Sequence, residues 1–167
     1  MLKASNQKSV IACTSNMDIK GFKRYTKKSK TSEARVFLKK LYDGARSYYM
    51  NSDARRTSTA HLPPQFPGPS QGPTPPLGSC CANGGKCAPK AQLWTSRVWS
   101  SRMFSLDDPH YYSYSYIVKG KSFTVRANGD LDCDGEYSTF EMTGVINAKY
   151  SDGPQGNVKM TRKDELE

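Results

Sequence analysis

At 167 residues the chain is long enough for one domain with a modest core, and its 36% hydrophobic content leaves part of the length expected to pack poorly. The net charge of +10 is unevenly placed: residues 1–60 hold 14 Lys/Arg against 4 Asp/Glu, whereas residues 61–167 hold 11 of each. No hydrophobic run approaches the ~20 residues of a membrane span, and no apolar core of a signal peptide is present.

Residues 1–24 are rich in Lys and Ser, without usable periodicity, and are expected to form a basic, disordered segment. Such a basic third suits nucleic acid or an anionic membrane face. No aromatic residues are interleaved to stack bases, so a solvated helix surface, or one meeting acidic patches on sister subunits, is preferred. Nucleic acid is therefore not expected as a partner.

An amphipathic helix follows over about residues 31–50. Ala34, Leu38, Leu41, Ala45 and Tyr48 recur at alternating spacings of four and three and keep one apolar stripe on one side. Phe37, Tyr42 and Tyr49 widen the stripe. Gly44 lies inside it and should cost ~1 kcal/mol against alanine, so packing has to hold the segment together. No capping box opens the helix, because Lys30 stands three residues before Glu33. The pattern reads as a helix that continues upstream. One helix cannot bury such a stripe on itself and needs a sheet or a second chain against it.

Eight of the ten prolines fall between Pro63 and Pro89, which predicts an extended connector with neither helix nor central strand. An SH3-type ligand is the functional alternative, although connectors of this composition are far commoner. Of five cysteines, Cys13 stands alone, and Cys80, Cys81, Cys87 and Cys133 lie downstream. No C-x-x-C pair is present and only two histidines exist, so two disulfides fit better than a zinc site. Adjacent Cys80 and Cys81 are not expected to pair with each other. One should bond Cys87 and the other Cys133, and the spacing does not say which. Trp94, Trp99, Met103, Phe104 and Leu106 predict a short helix or packed loop covering the edge of the core.

The β half begins after His110. Residues 111–118 alternate Tyr and Ser, the period of a half-buried strand. Lys119-Gly120-Lys121 predicts a hairpin turn, with further strands over 122–127 and 138–146 and a weaker one through Val158 and Met160. The sum is an α+β domain: a long helix, a cross-linked loop and an antiparallel sheet of three or four strands.

Two stretches carry candidate chemistry. Asp130, Asp132, Asp134, Gly135 and, five residues further on, Glu141 match the calcium-loop pattern at every specified position. Calcium takes about six to eight oxygens, which alternate aspartates around a glycine turn can converge. The flanks, however, alternate like strands, where the usual form of this loop has helices. An acidic turn capping its own amides is the competing expectation. Asp107-Asp108-Pro109-His110 looks like an acid and base pair, and turn capping is the stronger reading. His61 is expected to be exposed. No catalytic constellation is found, and neither an enzyme nor a small-molecule substrate is expected.

The stretches Arg24-Tyr25-Thr26-Lys27-Lys28, Glu33-Ala34, Leu38 to Tyr42 and Ser47-Tyr48-Tyr49 resemble the exposed half of the type IV pilin spine helix. Gly78-Ser79-Cys80-Cys81, Asp108 to Tyr114, Gly129 to Gly135 and Ser138-Thr139-Phe140 are similar to pilin-like proteins of δ-proteobacterial type. The resemblance covers most of the chain, from about Phe22. It implies a spine helix over 25–53, an αβ-loop over 54–110 and a sheet over 111–167. It also implies a non-catalytic filament subunit at the cell surface, serving motility or adhesion, whose partners are other pilins and the pilus-assembly machinery. Related secretion pseudopilins share the fold, and some bind calcium in a C-terminal loop. Lys20-Gly21-Phe22 resembles the family's cleavage site, yet Lys23-Arg24 follows where the apolar half-helix and its glutamate would stand. A calcium-dependent extracellular binding module is the alternative, and a basic nucleic-acid binder explains only the N-terminal charge.

Overall fold

The computed structural model describes residues 19–51, 65–146 and 154–163. Readings placed on residues 1–18, on Cys13 and on His61 lie outside the described residues. One long helix packs on an antiparallel sheet, as an α+β arrangement requires. Helix α1 (Ile19–Met50) spans 32 residues, and its axis is ~48 Å long at 1.5 Å per residue. It begins twelve residues before the expected start at about residue 31, so that start and the disorder expected for residues 19–24 are both corrected. The stripe marks where packing begins, not where the helix begins.

Ala34, Leu38, Leu41 and Ala45 are fully buried, joined by Thr31 and Tyr42. Each fully buried leucine contributes roughly 1.5–3 kcal/mol. Tyr48, expected in the same stripe, is only half-buried. The outward side mixes polar residues with the exposed Phe22, Tyr25 and Val36, and carries a Lys39–Asp43 pair at 2.6 Å, one helical turn apart. Such exposed pairs contribute only about 0.3–0.5 kcal/mol.

The sheet is a meander of five strands in the order of the chain: β1 (Gln71–Thr74), β2 (Ser113–Lys119), β3 (Ser122–Gly129), β4 (Ser138–Val145) and β5 (Gln155–Lys163). All neighbouring pairs are antiparallel. β1 was not expected, since its segment is proline-rich. It sits at the edge of the sheet, where Pro73 removes a donor that a central strand would need. β2 and β3 join through the expected Gly120-Lys121 turn, with Lys119 opposite Ser122. α1 lies across β3 and β4.

The tyrosine side of β2 is entirely buried: Tyr114 packs edge-on against Phe37 of α1 and against Phe104, and Tyr116 stacks on Phe123. The serine side is buried too, at Ser113 and Ser115, so β2 is covered on both faces where alternation predicted one. Between β1 and β2 the chain forms a 3-10 turn (Cys81–Asn83), a second (Ala91–Trp94) and the short helix α2 (Arg97–Ser100). Trp94, Trp99 and Phe104 meet there at ring distances of 5.2–5.6 Å and close the core together with the buried Leu106, as the sequence predicted, whereas Met103, expected with them, is exposed.

Candidate functional site

Two cross-links gather the chemistry of the molecule at one end of the sheet. Cys80 is bonded to Cys87, closing the small loop through Gly84 and Gly85, and Cys81 is bonded to Cys133, tying that loop to the turn between β3 and β4. A second tether runs alongside, because the Cys87 and His110 backbones pair as an isolated bridge.

In the β3–β4 turn the buried Asp130 carboxylate organises its own backbone. Oδ1 accepts the Cys133 amide at 2.6 Å and the Asp134 amide at 3.2 Å, while Oδ2 accepts the Gly135 amide at 3.0 Å. Asp134 in turn accepts the Glu136 amide at 2.8 Å. Side-chain oxygens of Asp130, Asp132 and Asp134 lie within 4.8 Å of one another, so these three expected ligands do converge. Glu141, the fourth, is not among them. It stands in β4 opposite Arg126 of β3 and pairs with that guanidinium. Asp132 is held from outside the turn by Lys27 of α1, at 2.5 Å.

Strand-like alternation predicts that Cys133 turns away from the carboxylates. Its sulfur instead lies within 4.8 Å of an Asp130 oxygen, because the turn bends at Cys133 itself, with φ of +62°. Asp107-Asp108-Pro109-His110 forms no acid–base pair. His110 is buried, its Nδ1 hydrogen-bonds the Asp108 carbonyl at 3.0 Å, and burial lowers its pKa.

Sequence reasoning missed three groups. Glu33 of α1 accepts the Tyr111 amide at 2.9 Å and the Tyr114 hydroxyl at 3.3 Å, clamping helix to sheet. Burial raises its pKa despite those donors, and burial beside Glu33 raises that of Tyr114. Arg102 is buried at the foot of α2, donating to the Pro67 carbonyl at 2.6 Å and to the Val98 carbonyl, with its guanidinium 3.4 Å from the Tyr116 ring centre. Lys30 and Lys86 stand over the Tyr111 ring at 4.8 and 5.0 Å from its centre. No sequence signal joins residues 30, 86 and 111, which only the fold brings together.

The outer side of α1 is the other surface of note. Phe22, Tyr25 and Val36 are 63%, 73% and 64% exposed. At about 100° per residue they fall within roughly 60° of one another and nearly opposite Ala34, Leu38 and Leu41. Among the described residues no helix is long and apolar enough to cross a membrane. Comparison with protein-family models, curated proteins and solved structures returns no match.

Proposed function

We propose that this chain is a non-catalytic structural subunit of a type IV pilus or pilus-like surface filament, with a pilin-type head carried on α1. The observation that carries this reading is the row of exposed apolar residues on the far side of the helix. A helix that only roofs its own sheet needs one apolar stripe. α1 has a buried stripe from Thr31 to Ala45 and, on its far side, exposed Phe22, Tyr25 and Val36. Scattered single hydrophobics on a surface need no explanation. Three large ones aligned on one side of a helix supply a face for a neighbouring helix, the packing from which a filament core is built. The sheet, the tyrosine-rich β2 and the disulfide-bonded loop then form the outer head. Immunogold labelling of the producing cells with antibodies against this chain tests the proposal. Labelled filaments that disappear in a Phe22→Asp/Val36→Asp variant are expected. Filaments unchanged in that variant, or label confined to the cell interior, would overturn it.

A second reading, a weak calcium site in the β3–β4 turn, is favoured by the convergence of Asp130, Asp132 and Asp134 alone. With Glu141 engaged elsewhere, three aspartates supply fewer oxygens than the six to eight that calcium takes. The site then depends on carbonyls and water, and its affinity falls in the millimolar range of extracellular modules.

A further inference from the structure

Beside the acidic turn lies an open groove of about 370 Å³, floored by Tyr111, the buried Leu131 and the Cys81–Cys133 bridge and walled by Lys30 and Lys86. Its electrostatics are unbalanced. Both ammonium groups are drawn to the face of one aromatic ring, an arrangement that attracts each cation but sets the two against one another. Within the described residues neither lysine forms an ion pair, whereas Lys27 nearby is already matched by Asp132. Glu33 lies within electrostatic reach of Lys86, and it spends its hydrogen bonds on Tyr111 and Tyr114.

We propose that this groove binds an acidic peptide segment through two of its carboxylates. Three features select that chemistry. The distances to the shared ring place the two ammonium groups no more than about 10 Å apart. In an extended peptide, residues i and i+2 point to the same side about 7 Å apart, so two acids at that spacing can meet both lysines. The floor is rigid, fixed by a disulfide and by a backbone bridge between Cys87 and His110, so little ordering opposes binding. The rim, finally, carries Asp132, and Asp134 and Glu136 follow in the same turn, which repels a long polyanion such as nucleic acid but leaves room for two isolated carboxylates. Within this chain Glu165 and Glu167 have the required spacing, as do the alternate acids Asp130, Asp132, Asp134 and Glu136 of the turn beside the groove.

The test is calorimetric titration of the full chain with a pentapeptide copying residues 163–167, beside a twin in which every acid is replaced by its amide. Salt-dependent binding is expected, weakened about tenfold by amidation and about tenfold by Lys30→Gln with Lys86→Gln, as two partly exposed ion pairs imply. The unfolding midpoint of that double variant should be unchanged, since both side chains reach solvent, and Lys30→Arg with Lys86→Arg should restore binding. Equal affinity for the amide twin, equal affinity in the Gln variant, or no binding at millimolar peptide overturns the proposal. Displacement of the peptide by an equal concentration of inorganic phosphate also overturns it, reducing the groove to a general anion site. A chain ending at residue 163 that binds the peptide more tightly than the full chain supports the groove with its own acidic segment as occupant. An unchanged affinity supports it with a different protein.

Discussion

Replacing Gly44 with alanine should destabilise this protein, although the same change in an isolated helix would stabilise it. Helix propensity alone favours alanine by ~1 kcal/mol. In the fold, a Cβ at residue 44 would overlap the Arg102 carbonyl oxygen and stand 3.1 Å from its carbonyl carbon and 3.3 Å from its Cα. Those are backbone atoms and cannot swing aside as a side chain does. Overpacking of this kind costs typically 1–3 kcal/mol. Moving the Arg102 backbone also disturbs a buried guanidinium that donates to Pro67 and Val98, and hydrogen bonds from charged groups contribute about 1.5–3 kcal/mol each. Set against the propensity gain, the net loss should be about 1–3 kcal/mol. Urea unfolding followed by tryptophan fluorescence measures it, with Ser32→Ala on the exposed side of α1 as a control that gains a few tenths of a kcal/mol. A Gly44→Ala protein more stable than its parent would mean that α1 does not rest on the Arg102 backbone, and the packing of α2 under the helix would have to be redrawn.

Burial raises the Glu33 pKa above its ordinary 4.5, so the folded chain holds that proton more tightly than the unfolded one. Stability should therefore fall as pH rises through the window between 4.5 and the raised value, and level off above it. Glu33→Gln keeps an acceptor for the Tyr111 amide and should flatten the pH profile in that window; an unchanged slope in the variant refutes the assignment. Thiol counting on denatured, oxidised protein should find one free cysteine, Cys13, with the other four paired; five free thiols in exported protein purified without reductant would refute the two cross-links. Loss of the Cys81–Cys133 bridge through a double serine variant should cost roughly 2–4 kcal/mol in denaturant melts. Calcium at millimolar concentration should raise the melting temperature of the parent and leave Asp132→Asn/Asp134→Asn unmoved, and equal shifts in both would return the turn to a purely structural role.

Much of the fold could be read because its elements announce themselves locally. The four-and-three spacing from Ala34 to Ala45, the Tyr/Ser alternation of β2 and the Lys119-Gly120-Lys121 turn each depend on residues close in sequence, where periodicity is informative. The expectations that failed depended on something distant. β1 forms because β2 offers it an edge, and a proline-rich segment gives no sign of that partner. Tyr48 continues the α1 stripe faithfully, yet it stays half-buried. Gly44 looked like a flaw in the helix until Arg102, 58 residues later, supplied the reason. For β1 periodicity named no face at all, and for Tyr48 and Gly44 it named the face and was silent about what lay against it.

The acidic turn shows how the same spacing diverges under a different backbone. From Asp130 to Gly135 the calcium pattern describes a bend, and the bend forms: one carboxylate gathers three amides, and the three aspartates converge. The final acid of the pattern assumes that the chain turns into a helix, which rises 1.5 Å per residue and keeps a residue six positions later close at hand. Here the chain enters β4 at Ser138, and a strand advances about 3.3 Å per residue. Glu141 is thereby carried roughly 10 Å along the sheet from the start of β4, where Arg126 meets it. The vacated side of the turn is taken by Lys27, reaching down from α1 to Asp132. A helix that began at residue 31 could not provide that contact. The upstream extension of α1 thus joins the two halves of the site: it places Lys27 against the acidic turn and, less than one turn further on, Lys30 over Tyr111. Shortening α1 should therefore loosen the β3–β4 turn and the lysine groove together.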